Sequence, residues 1–372
     1  MMKTMRFSLS LAIILLTIAS CKEKEKDHVP VVSVENTRLV SQVEFDETFR
    51  DVSLVPLETR QGCIVANVKK VEECEGSIYV LSESLDGQTD LYRFGEDGRF
   101  LNRIGEMGNA KNEYSRINTF YLSGGMVYIV DSNRCNLLGY TAEGKCIGTT
   151  ELGPTLQFVR EAVATEDVGK VLLSYGINFS EEHPLYRLVD MCTGDILWEM
   201  GTRYEARGNI PHSMHAVTKH GKQVLLTQPM DKGIYSLDAS GQQLDKEYEV
   251  RCHGKFTEPS TDDYQEALRE QGDAKPICGI YATEKLLVVN FTTGSVVWNI
   301  EEDEGIRMDI GVDYSECKVV PCIPLKIVSS SDKCLVTCWT PEELEDCLGK
   351  MGSAGVDFES GGNPILVRHN IR

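Results

Sequence analysis

Near the start of the chain, Ile18-Ala19-Ser20-Cys21 sets a thiol directly behind small side chains. This is the lipobox pattern, in which a cysteine sulfur accepts a diacylglyceryl group and the peptide bond before it is cleaved. Lys3 and Arg6 give a positive leader, and Leu9 to Ile18 an apolar core. A run that short, with those flanks, is a targeting segment and not a transmembrane span. Cys21 is therefore expected to be the lipidated N terminus of an outer-membrane lipoprotein, at the periplasmic face or the cell surface. The competing reading is an ordinary secretory signal with a chance cysteine.

No other stretch carries the spacing of a catalytic motif. Gly-x-Ser-x-Gly, a P-loop, His-Glu-x-x-His and an Asp-rich calcium loop are all missing from the sequence. His212-Ser213-Met214-His215, with His220 nearby, is the one histidine cluster, and it lacks a third ligand at helical spacing. Glu301-Glu302-Asp303-Glu304 reads as a solvated turn tip. With Cys21 lipidated, twelve of the 13 cysteines remain, in a compartment that permits disulfides. Cys334 and Cys338 lie roughly 13 Å apart in a strand at ~3.3 Å per residue, too far to bridge. Cys317 and Cys322, flanking a Pro-containing loop, are the best candidate pair; most of the others read as small buried hydrophobes. No cofactor and no metal site is expected.

Composition narrows the partners. The 372 residues carry 57 acidic against 38 basic side chains, a formal charge of −19. Such a chain repels phosphate backbones, which opposes nucleic-acid binding. It gains nothing from anionic headgroups either, so membrane residence must come from acyl chains on Cys21. An apolar content of 41% is enough for a full core. The run Lys22 to Asp27 is charged and reads as the start of a tether over 22–45, with a body over 46–372.

That body repeats. Short apolar runs begin at Ile78, Met126, Val171, Val224, Leu286 and Leu335, spaced 45 to 62 residues apart. Second runs start at Leu91, Leu137, Leu185, Ile234, Val296 and Ile365, the first five lagging by 10 to 14 residues. Polar turns with glycine, such as Glu96-Asp97-Gly98 and Ala142-Glu143-Gly144, follow the second runs as hairpin signals. A period near 50 with about four strands per unit marks an all-β fold, a single six-bladed β-propeller. The first runs do not alternate, as expected for strands buried on both faces between stacked blades. The sixth unit lacks an outer strand after Arg368, so Val52–Leu57 is expected beside Ile365–Val367, closing the ring. Two short helical excursions break the period: Thr261 to Gln271, N-capped by Thr261, and a capping box at Thr340-Pro341-Glu342-Glu343.

In a propeller, the loops between blades and those between second and third strands meet at one mouth of the channel, where binding residues concentrate. They contain Glu113, Tyr114 and Arg116; Asp131, Asn133 and Arg134; Tyr175; and Arg203, Tyr204, Arg207 and His212. Tyr and Arg supply contact area and bidentate hydrogen bonding, and Tyr faces stack on sugars. The competing reading of each is a strand-end cap.

The chain resembles the six-bladed β-propeller lipoproteins on the envelopes of gut anaerobic bacteria. The resemblance rests on the lipobox, Phe49-Arg50-Asp51-Val52-Ser53-Leu54-Val55-Pro56-Leu57-Glu58-Thr59, Leu91 to Leu101 with Arg103-Ile104-Gly105, and Asn363-Pro364-Ile365-Leu366-Val367. A Gly-Pro-Gly-Glu-Tyr loop usually follows the first blade of that family. Here Gly108 to Tyr114 keeps the Glu and Tyr but not the Pro or second Gly. The resemblance implies fold and address. The functional expectation is a non-catalytic, monomeric binding protein with a glycan or an envelope polypeptide at the mouth. The alternative is a propeller enzyme, either a carbohydrate-active hydrolase or lyase or a metal-dependent lactonase type.

Overall fold

Each first apolar run becomes the second strand of a four-stranded antiparallel sheet, and each second run becomes the third. The computed structural model describes residues 29–33, 37–175, 184–201, 216–228, 231–237, 243–251, 259–271, 277–291, 294–309, 317–351, 358 and 361–372. Blade I comprises Asn67–Cys74, Ser77–Glu83, Thr89–Gly95 and Phe100–Arg103; blade II Thr119–Ser123, Met126–Asp131, Asn136–Tyr140 and Cys146–Glu151. Blade III is built from Val159–Ala164, Lys170–Tyr175, Tyr186–Asp190 and Ile196–Met200, and blade IV from Val217–His220, Gln223–Thr227, Gly233–Leu237 and Leu244–Arg251. Blade V holds Ile277–Ala282, Leu286–Phe291, Gly294–Asn299 and Glu304–Asp309; blade VI holds Ile327–Ser331, Cys334–Trp339 and Ile365–Ile371. The first strands of the blades approach one another around a central axis.

Burial explains why the second strands do not alternate. Ile78 and Val80 pack in one cluster with Cys334, Val336 and Leu366 of blade VI. Their sequence neighbours Tyr79 and Leu81 point the other way, onto Phe120, Ile129 and Leu138 of blade II. Both faces of one strand are therefore dry. Each large side chain so buried contributes roughly 1.5–3 kcal/mol.

The ring closes as the sequence predicts. Strand Phe49–Pro56 is the fourth strand of blade VI, antiparallel to Ile365–Ile371, with Val55 opposite Leu366 and Leu54 opposite Val367. Blade I then treats this strand as blade II treats the outer strand of blade I. Gly98, at φ +82°, turns so close to Pro56 that a Cβ would lie 2.1 Å from its carbonyl oxygen. Gly144, at φ +81°, sits in the same way against the carbonyl of Arg103, at 2.6 Å. Only glycine fits such an approach with positive φ.

The axis is filled by polar side chains of the inner strands. Lys70 Nζ donates to the carbonyls of Phe120 (2.7 Å) and Ala162 (2.9 Å), bonding blade I to blades II and III. It also pairs with Glu72 at 2.8 Å, whose second oxygen accepts from Leu122 N. Thr218 and Ser330 hydroxyls meet at 3.2 Å between blades IV and VI.

Two expectations are corrected. Described residues within the tether read over 22–45 pair with the body: Val31–Ser33 adds parallel to Leu244–Arg251 of blade IV, and Arg38–Leu39 parallel to Glu304–Asp309 of blade V. These strands are two or three residues long, too short to stand out as repeats. A five-residue helix follows, α1 (Gln42–Asp46), with a Ser41/Glu44 capping box and Phe45 buried. In the excursion before blade V, α2 (Tyr264–Glu270) is capped by Asp263 and not Thr261, because the Thr261 hydroxyl accepts from Asp263 N instead. In blade VI, α3 (Pro341–Lys350) has the expected Thr340/Glu343 capping box.

His369 lies beneath the closing strand, fully buried, opposite Val52 and with its ring 5.3 Å from Phe49. Its Nε2 is 3.0 Å from Thr337 Oγ1, while Nδ1 has no hydrogen-bond partner. Burial pushes its pKa down to about 3 from an ordinary 6.5. The fold therefore holds the neutral ring: this contribution is full above the unfolded value and is lost as pH falls from about 6.5 towards 3. Each pH unit in that window costs about 1.4 kcal/mol. His369→Leu is expected to flatten the acid side of the stability–pH curve, checked by urea denaturation at several pH values between 3.5 and 7. Parallel curves for the two proteins would refute it.

Candidate functional site

The loops joining blades and those joining second to third strands lie on one face, as the strand order requires. On this mouth, Glu113, Tyr114, Arg116, Asp131 and Arg134 are brought together between blades I and II. They are bonded chiefly to one another and to their own loop. Asp131 is fully buried at the end of its strand and accepts from Ser115 N (2.6 Å), Ser115 Oγ and Arg134 N. Arg134 donates to the carbonyls of Glu113 (3.0 Å) and Gly108 and to Asn109 Oδ1 (2.9 Å), so its guanidinium is a staple across the loop. The Glu113 carboxylate accepts from Ala110 N at 2.8 Å. Arg116 pairs with Glu83 at 2.6 Å and Asn133 is exposed.

Two of the tyrosines are corrected. Tyr114 is fully buried, its hydroxyl 3.3 Å from Asp90 Oδ1, and desolvation pushes its pKa well above the ordinary value. Tyr175 is buried as well, donates to Thr155 O at 2.6 Å and is pushed up to about 12 by burial. Their rings belong to the packing between blades, so neither is offered to a ligand. Asp90 was not foreseen: it accepts from Tyr92, Arg103 and Tyr114 together. Its one sequence signal is the single carboxylate within the strand Thr89–Gly95. Arg203, Tyr204, Arg207, His212, the histidine pair with His215, and Cys21 lie outside the described residues. His220 is described; its Nδ1 lies 2.9 Å from Thr283 O.

The other reactive residue types are quiet. Among the described residues no three His, Cys, Asp or Glu side chains are grouped to hold a metal. Cys317 and Cys322, the best candidate pair, are both buried and form no disulfide with each other. Cys322 is held elsewhere, its N–H donating to Asp46 and its carbonyl accepting from Gln42, and it packs with Phe45 and Leu335. Burial pushes the thiols of Cys63, Cys334, Cys338 and Cys347 up to about 12, far from a reactive thiolate. The Glu301 to Glu304 turn is the exposed tip expected, held by Asn299 and Lys285.

The mouth presents apolar side chains as well as polar ones. Ile64, Leu85, Met107, Phe158, Val319 and Leu325 are exposed large hydrophobics in its loops, and Leu85 is fully exposed. On the opposite face the corresponding set, among the described residues, is Val168. Phe158 stands out further: it holds φ +60° and remains 48% exposed. A bulky residue in that region costs about 1–3 kcal/mol, which an ordinary surface turn would avoid by using glycine. Beside these loops, Asn109, Lys111, Arg134, Asn136, Thr149 and Glu151 line an open polar groove of about 660 Å³ on blade II.

Six blades, a ring closed by the N-terminal strand and loops gathered on one face define a six-bladed β-propeller. By sequence, the chain belongs to the DUF4934 family, a domain of unknown function, which it matches over residues 29–369. No curated protein sequence matches it. Among solved structures it is similar to a Bacteroides fragilis protein inferred to be exported, at 18% identity and a TM-score of 0.72, covering 92% of this chain and 99% of that one. It is also similar to a Bacteroides vulgatus member of the DUF4221 family, at 12% identity and a TM-score of 0.54, covering 87% and 97%. Likeness at these identities extends to the fold.

Asp131→Ala is expected to destabilise the protein by about 2–3 kcal/mol, because it strands the Ser115 and Arg134 N–H groups. Arg134→Lys should keep the charge but lose the three-way staple, exposing the 105–116 loop to limited proteolysis. Cleavage there at the wild-type rate would contradict the staple role.

Proposed function

We propose that the protein is an envelope lipoprotein, anchored through Cys21, that binds a polypeptide partner without catalysis at the mouth of its propeller. The observation that carries this reading is the concentration of exposed apolar side chains on the mouth loops, six against one on the other face among the described residues. Contiguous exposed apolar area rimmed by polar residues marks protein interaction surfaces. A glycan is favoured less, because Tyr114 and Tyr175, the rings best placed to stack on sugars, are buried. Hydrolysis is also favoured less: Asp131 and Glu113, the nearest carboxylates, use their oxygens to hold their own loop. The address draws support from the signal-like leader, and the Bacteroides fragilis fold relative is itself inferred to be exported.

Photo-crosslinking from p-benzoylphenylalanine at Leu85 or Phe158 in native membranes should give one discrete polypeptide adduct, and the same probe at Val168 none. Phe158→Gly separates binding from folding. Glycine suits φ +60°, so the melting temperature should hold or rise while the Leu85 adduct weakens. Equal labelling from Val168 would overturn the site, and turnover of a bound glycan would overturn the non-catalytic reading. For the anchor, Cys21→Ala should move the protein from the membrane to the soluble fraction, and persistence in the membrane fraction would defeat it.

A further inference from the structure

The face opposite the mouth carries a cavity that the mouth reading does not use. It lies between blades III and IV and measures about 410 Å³, within the range of small-molecule sites. Its floor is apolar: Leu172, Leu188 and Val224 are buried side chains of adjoining strands, and Leu237 closes one end. Its rim is charged. Lys170 is paired with Asp167 at 2.6 Å and Lys222 with Glu166 at 3.3 Å, so four of the five rim charges stand in pairs. The fifth, Asp245, lines the cavity with a carboxylate that has no hydrogen bond or ion pair among the described residues.

The geometry points to a binding site for an organic ammonium carrying an apolar body, with the body on the Leu172–Leu188–Val224 floor and the cation at Asp245. An anion would meet an unopposed carboxylate there, and a purely apolar ligand would leave that exposed carboxylate unused. The formal charge of −19 adds a field that concentrates cations at the surface. Gln223, exposed at the start of its strand, stands at the rim and can be changed without touching the core. This site is independent of the mouth, and either can fail without the other.

The test is calorimetric titration of the purified full-length protein with 4-phenylbutylamine, 5-phenylvalerate and 4-phenylbutanol, which share one apolar body. The amine should bind about five- to tenfold more tightly than the carboxylate, the scale of one charge-assisted hydrogen bond at a partly exposed site. Asp245→Asn should erase that preference while leaving the alcohol unchanged, and added salt should weaken the amine alone. Gln223→Trp should block all three. Acetyl-Phe-Lys-amide distinguishes the source of the ammonium: tighter binding than the free amine assigns a peptide lysine, weaker binding a free amine. No measurable amine binding, equal affinity for amine and carboxylate, or a preference that survives Asp245→Asn would overturn the proposal.

Discussion

The pairing of Phe49–Pro56 with Ile365–Ile371 is the constraint on which the rest of the molecule depends. Six blades stacked around an axis bury both faces of their second strands only if every blade has a neighbour on each side. An open ring would expose the Ile78–Val80 face on blade I and the Cys334–Val336 face on blade VI, which meet in one cluster. The closing strand joins them through backbone hydrogen bonds between opposite ends of the chain, so the final contact has nearly the greatest sequence separation available. Such a contact carries the largest loop-closure cost and gives its return only when the ring is complete. Neighbouring side chains secure it. Asn363 donates to the carbonyls of Glu58 and Cys63 and accepts from Val65 N, fastening the loop after the closing strand to the strand it pairs with.

This dependence explains which parts of the fold were legible in the sequence. Blade number, the order of runs and the closing strand follow from periodic burial, and the runs at Ile78 and Leu286 show it because each of those strands is dry on both faces. Val31–Ser33 and Arg38–Leu39 were not legible, because a strand added to the outer edge needs few apolar residues and repeats nothing. The cap of α2 was missed for a related reason: Thr261 and Asp263 are both competent caps, and their mutual hydrogen bond decides between them.

The mouth was legible in outline and misread in detail. Loop positions followed from the strand order, so Glu113, Tyr114, Arg116, Asp131 and Arg134 do converge. Residue type alone could not say which way a side chain turns. Tyr114 and Tyr175 sit where one blade meets the next, and a tyrosine there can bury its ring while its hydroxyl reaches a polar partner. Arg134 and Asp131 are drawn inward by unpaired backbone groups of a fifteen-residue connection, which would otherwise remain unsatisfied. Phe158 was passed over because its informative property is a backbone angle, which the sequence does not display.

These two kinds of residue divide the work at the mouth. Asp131 and Arg134 fix the backbone of the loop between blades I and II through charge-assisted hydrogen bonds, and Asp90 holds the same loop through the Tyr114 hydroxyl. Met107 is held outward on that fixed backbone, and Leu85 and Phe158 stand exposed on neighbouring loops of the same mouth. A partner meeting such a surface pays little to order it, and the surplus goes into affinity. If polar residues did the binding and apolar ones the bracing, the loops would depend on hydrophobic packing that a small connection between blades cannot supply. Polar bracing under exposed apolar side chains is the arrangement expected of loops that keep one shape, and on the proposed reading the strain at Phe158 is offset by contact with the partner.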